Sequence, residues 1–307
     1  MVTQAPVASP TLRTRVLDAI SRRGRGLTIA NIIAQGGIIV TGAAVRLTDS
    51  GLGCSTWPQC EPGEFTPVFH EAVSFHPFIE FGNRTMTGVL MVIAVLMAIA
   101  VWRTRPDLRW WGIVPGIGII AQAVLGGIVV RTNLNPWLVA PHLWLSVILV
   151  WLAVYIALRY RNAPRREGAP LTGLRLINLG IFVVVMFLGA LTTGAGPHSG
   201  DPEATERLAL DPALIARVHA ASVWLFLITL AALIFFLRND RSAGERDEVR
   251  KAWTVLILAS LLQGAIGYVQ YFTGLPILIV ELHLVGVAVL SAAMAAFFHL
   301  AQPVTNR

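Results

Sequence analysis

The sequence predicts an all-α integral membrane protein with eight transmembrane helices. They form two four-helix bundles related by a pseudo-two-fold axis, with both termini cytosolic. Three observations carry this expectation. Hydrophobic residues fill 55% of the 307 positions and charged residues only 13%, with a mean hydropathy of +0.67. A water-soluble domain carries about 25% charged residues, so a soluble globule and a disordered chain are both excluded. Eight stretches reach the roughly 20 apolar residues that a bilayer crossing requires. The basic residues, finally, fall largely on one side of those crossings.

The crossings run roughly over 27–46, 78–102, 110–130, 140–160, 174–195, 213–237, 252–271 and 279–301. Residues 1–26 contain Arg13, Arg15, Arg22, Arg23 and Arg25 but no apolar core, and read as a cytosolic tail and not a signal peptide. The connections after the second, fourth and sixth spans hold Arg103, Arg105 and Arg109, then Arg159, Arg161, Arg165, Arg166 and Arg175, then Arg238, Arg241, Arg246, Arg250 and Lys251. Arg307 ends the chain. Nineteen of the 24 basic residues thus share one side, which the positive-inside rule makes the cytosol. A sequence pI near 10.4 would suggest nucleic acid in a soluble protein. Here the charge is spread over several loops and a tail, so a nucleic-acid partner is not expected. The domains follow: tail 1–26, first half 27–160, cytosolic linker 161–173, second half 174–301 and tail 302–307.

The long loop at 47–77 holds both cysteines, Cys54 and Cys60, in GLGCSTWPQC. The topology puts them outside the cytosol, where disulfides persist. A disulfide is expected, with two free thiols as the alternative.

The two halves repeat a polar register. Gln122-x-x-x-Gly126 in span 3 matches Gln263-x-x-x-Gly267 in span 7. His142 and His283 each follow their glutamine by 20 positions. Aligning the openings of spans 2 and 6 sets Asn83 opposite His219. Ionisable groups inside a membrane usually face a site or cavity. His219 and His283, on two helices of the second half, suit axial ligation of a haem iron from both faces; hydrogen-bonded packing histidines are the alternative. In the first half His142 meets Asn83, so a haem iron there would have one firm protein ligand and one open or weakly filled position. Glu80 shares a helical face with Asn83 and is a candidate for moving protons or steadying water, against a plain helix-start charge. Arg46 and Arg131, at span ends, are candidate contacts for haem propionates, against interfacial snorkelling. His70, His76 and His198 read as loop histidines, and His299 as structural.

The stretch GAAVRLTDSGLGCSTWPQC, the IEFGNR opening of span 2 and the paired histidine halves resemble the haem A synthases. The resemblance covers roughly 27–301. It implies an oxidoreductase of the cell membrane that oxidises the C8 methyl of haem O to a formyl group by successive hydroxylations, giving haem A for cytochrome c oxidase. It implies haem b on His219 and His283, and substrate haem O near His142, Asn83, Arg84 and the catalytic candidate Glu80. It also implies that the cysteine pair can form a disulfide on which redox partners act. An electron donor of unspecified identity and the prenyltransferase that makes haem O are the implied partners, besides the lipid bilayer. The family pattern in span 2 is Glu-x-x-His-Arg; this sequence has Glu80-x-x-Asn83-Arg84. The main competing expectation is a dihaem b-type electron carrier, quinone-linked and without substrate chemistry. A transporter and a prenyltransferase fit less well.

Overall fold

The apolar stretches form helices because bilayer hydrocarbon satisfies no backbone polar group, so each crossing must close its own hydrogen bonds. A computed structural model describes residues 11–68, 74–163, 171–239 and 247–302. His70, Arg165, Arg166, Arg241, Arg246 and Arg307 lie outside the described residues. The helices are α1 (Leu12–Arg22), α2 (Gly24–Leu47), α3 (His76–Thr104), α4 (Arg109–Arg131), α5 (Pro136–Tyr160), α6 (Thr172–Ala195), α7 (Pro212–Asn239), α8 (Asp247–Phe272) and α9 (Ile277–Leu300). Eight of them, α2 to α9, are long and apolar enough to cross a membrane.

Local signals set the helix ends. Proline supplies a fixed φ and needs no partner for a missing N–H at a helix start, and it opens α5 at Pro136 and α7 at Pro212. Asn135 caps α5 by accepting from the Trp137 amide at 3.0 Å, and Asp211 accepts from the Leu214 amide at 2.7 Å. Gly274 takes φ +78° in the tight α8–α9 connection. The 1–26 segment departs from the expected plain tail, because residues 12–22 form α1. Thr11 caps that helix, and Asp18 pairs with Arg103 of α3 at 2.6 Å, which ties it to the arginine-rich end of the spans.

The halves pack differently. In the first, α2 lies along α3 and α5, and α4 lies along both α3 and α5. Met97, Val101, Leu108, Leu149 and Ile156 fill its arginine-rich end, while Leu90, Ala94 and Ile119 join α3 to α4 nearer the middle. The second half consists of two tight hairpins, α6–α7 and α8–α9, whose backbones barely approach each other. One apolar cluster holds the hairpins together: Phe182 and Val185 of α6, Phe226 and Leu230 of α7, Leu256 of α8, and Leu290, Met294 and Phe297 of α9. These residues occupy the arginine-rich part of their helices. Toward the other end the described link between α7 and α8 is one hydrogen bond, from Trp224 Nε1 to the Tyr268 hydroxyl at 3.0 Å. The second half is therefore tied together chiefly at its arginine-rich end, away from His219 and His283.

A candidate paired haem site

Four positions repeat one packing device. A polar side chain near the start of one helix lies against a glycine of the preceding one. A β-carbon on Gly126 would stand 3.2 Å from Cε1 of His142. The same distance separates Gly189 from His219 and Gly267 from His283. At the fourth position a β-carbon on Gly42 would stand 4.0 Å from Oδ1 of Asn83. Each glycine lets a ring or amide lie close against a helix backbone. The sequence register reveals Gly126 and Gly267 directly. Gly42 and Gly189 were missed, although Asn31 and Asn178 each precede them by eleven residues and mark the same repeat.

The repeated glutamines orient the histidine helices. Gln122 Nε2 donates to the carbonyl of His142 at 3.1 Å, and Gln263 Nε2 donates to the carbonyl of His283 at 2.8 Å. Gln122 also donates to Ser146 Oγ, at 2.5 Å.

The histidines differ in company. His219 and His283 lie within electrostatic range of one another across the two hairpins, and the backbone of Val185 lies beside His219. Nδ1 of His142 and Nδ1 of His283 are buried without a hydrogen-bond partner among the described residues. Asn83 instead accepts from Thr41 Oγ1 at 2.7 Å, so its amide is anchored to α2. Among the described residues no group of three or more His, Cys, Asp or Glu is placed to hold a bare metal ion. Two imidazoles from facing helices, seated on glycines over an apolar floor, suit a flat apolar macrocycle with axial ligands. The residues of the second half thus fit a haem.

The loop at the other end of the first half is strapped down. Cys54 and Cys60 form a disulfide, S–S 2.06 Å, and both are buried. Glu80 is buried too, with all its oxygens engaged. Oε2 accepts from the Cys54 amide at 2.7 Å, and Oε1 accepts from Arg84 Nε at 3.1 Å and from Arg84 Nη2. Arg84 Nη1 donates to the carbonyls of Thr56 (3.0 Å) and Gln59 (3.1 Å). Arg131 donates to the Trp57 carbonyl at 3.0 Å, with its guanidinium 5.8 Å from the centroid of that ring. The Trp57 ring in turn occupies the space a side chain on Gly127 would need.

Arg46 donates to the carbonyls of His198 (2.8 Å) and Thr193 (3.0 Å), joining α2 to the end of α6. The two arginines expected near propionates are therefore committed to backbone carbonyls, because loops with unpaired carbonyls compete for the same donors. Glu80 likewise stands in a structural ion pair. His76 meets Ser50 Oγ at 3.0 Å, His198 meets the Leu275 carbonyl at 3.0 Å, and His299 is buried edge-on to Tyr155.

These features define a multi-pass membrane protein of two four-helix halves, each offering imidazole at matched positions. The chain belongs to the cytochrome oxidase assembly protein family COX15-CtaA, whose model matches residues 25–295. It is similar to the heme A synthase of Geobacillus kaustophilus, 29% identical over 160 residues, which is 48% of this chain and 48% of the relative. The heme A synthase of Geobacillus thermodenitrificans is 30% identical over 133 residues, 41% and 40% of the two chains. That of Shouchella clausii is 29% identical over 185 residues, 56% and 58%. The matched part thus spans about half the length of these curated relatives.

Proposed function

We propose that this protein is a haem A synthase, oxidising the C8 methyl of haem O to a formyl group by successive hydroxylations. The observation that carries this reading is the unequal pair of sites on one repeat. The second half has histidines at both repeat positions, His219 and His283, each against a glycine of the preceding helix, whereas the first has His142 and Asn83. A bound haem supplies a redox-active iron. His219 and His283 would hold haem b, and two imidazole ligands would suit electron storage and transfer better than reaction. His142 holds the substrate haem, and Asn83, anchored by Thr41, leaves the opposite position open to water. Glu80 and Arg84 fix the disulfide loop over this half. From there the Glu80 carboxylate is the candidate proton carrier, reached when its contact with the Cys54 amide loosens. The guanidinium nitrogens of Arg46 and Arg131 not spent on carbonyls remain the candidates for propionates.

The proposed location is the cell membrane, with both termini cytosolic and the Cys54–Cys60 loop outside, as the distribution of basic residues supports. Haem O, an electron donor and the haem O-producing prenyltransferase are the proposed partners, with no nucleic acid. Purified protein extracted for pigments should yield haem b, and added haem O incubated with dioxygen as oxidant and a reductant to activate it should be converted to haem A. Haem b alone with no conversion would favour a dihaem carrier, and no haem would sink both readings. Asn83→His should turn the first-half iron six-coordinate, seen in its absorption and EPR spectra. An unmodified protein already showing two imidazoles on that iron would overturn the role given to Asn83.

A further inference from the structure

The two sites belong to different halves. The halves meet at a central α5–α9 contact flanked by two seams, α5 with α6 and α9 with α2. The seams are repeat-equivalent but not alike. On the first, the rings of Trp144 and Phe187 lie with centroids 4.8 Å apart at 42°. Trp144 follows His142 by two residues, and Phe187 precedes Gly189, the seat of His219, by two. Two residues along a helix advance only ~3 Å and turn the side chain through ~200°. Each ring therefore stands at the depth of its site and on the opposite face of the same helix, toward the other half. The repeat places Val285 and Val40 at the equivalent points of the second seam. Two valines there offer no ring to stack.

Packing alone explains this pair poorly. Trp144 Nε1 is buried without a partner among the described residues, a cost that leucine or phenylalanine would avoid. Deeper in the same seam Trp151 packs on Phe182 and Phe298, centroids 6.3 and 5.8 Å away, within the buried core. That inner cluster already holds the seam together.

We propose that Trp144 and Phe187 form the electronic contact between the two haem sites, an inference that rests on the function proposed above. Tunnelling weakens steeply with the gap between donor and acceptor orbitals, and two aromatic rings in contact, here tilted at 42°, shorten the saturated part of that gap. One electron leaves the ferrous iron held by His219 and His283, which becomes ferric. It arrives on the ferric iron held by His142, which becomes ferrous. No bond forms or breaks, no proton moves, and neither ring ends oxidised.

The test uses the holoprotein with haem b in the second half and haem A in the first, whose formyl group separates their absorption. A photoreductant injects one electron, and the absorbance change follows its passage between the haems. Trp144→Leu should slow that passage severalfold at unchanged haem content, while Trp144→Phe should largely preserve it. Trp151→Leu should lower thermal stability and leave the rate as it was. Adding Val40→Phe and Val285→Trp to Trp144→Leu should restore the rate by building the contact on the other seam. An unchanged rate in Trp144→Leu, or equal slowing by Trp151→Leu, overturns the proposal. A purified protein without haem overturns the site reading, and this inference falls with it. Loss of haem in Trp144→Leu alone makes the pair a packing element and overturns it too.

Discussion

The two halves start from one repeated pattern and end as different machines. In the second, His219 and His283 belong to two hairpins joined by one apolar cluster and lie within electrostatic range of one another. In the first, α3 and α4 stay in contact, a disulfide bridges the loop before α3, and Asn83, at the position equivalent to His219, accepts from Thr41. The glutamine that holds the histidine carbonyl is the same in both. The glutamine scaffold is thus shared, while the residue at one repeat position and the loop before it differ.

The largest effect should come from breaking the paired side. His283→Ala removes one of the two imidazoles proposed to hold haem b and should abolish most of that haem, measured as haem b per protein after extraction, whereas His142→Ala should leave it in place. Gly267→Val is the subtler version. Its side chain would press into His283, and haem b retention should fall sharply although no ligand is lost. Retention unchanged in Gly267→Val would show that the glycine seats are incidental.

An intermediate effect should follow from Glu80→Gln. Breaking one partner of a buried ion pair costs about 3 kcal/mol, here with the anchor of Cys54 as well. The thermal midpoint should fall, and Cys54–Cys60 should become more accessible to reductant, read by thiol labelling. Removing the disulfide itself, by Cys54→Ser with Cys60→Ser, should cost about 2 kcal/mol for so short a loop. The two losses should be less than additive, because they act on one strap. Full additivity would uncouple Glu80 from the loop.

The smallest effect sharpens the comparison of scaffolds. Gln263→Leu and Gln122→Leu each delete a hydrogen bond worth about 1 kcal/mol. Gln122→Leu should cost slightly more, because it also deletes the bond to Ser146, whose hydroxyl keeps only its own bond to the His142 carbonyl. Denaturation of the two variants side by side tests this order.

Much of the fold was legible from residue order. Spans are long-wavelength features of hydropathy, and each of the eight falls within a few residues of its helix. The Gln–Gly–His register was legible because each half uses the same spacing, and the cysteine pair because only six positions separate its members. What stayed hidden depends on contacts across the chain. Nothing near Arg46 in sequence says that it reaches the carbonyls of Thr193 and His198, and nothing near Arg131 says that it reaches Trp57. The opening residues were underestimated because Asp18 finds its partner, Arg103, 85 positions away.

The sequence by itself determined eight stretches apolar enough to cross a membrane and the matched Gln–Gly–His spacing of the two halves. Hydropathy and spacing are properties of neighbours, and a bilayer leaves such segments little choice but helix. Only the tertiary structure decided that the second half forms two hairpins joined by one apolar cluster, while α3 and α4 of the first stay in contact. It alone showed that the arginines and Glu80 hold loops, and that two aromatic rings meet on one of two equivalent seams. Those outcomes depend on which side chains compete for the same carbonyls and the same space, and distant segments become competitors only when the chain is folded.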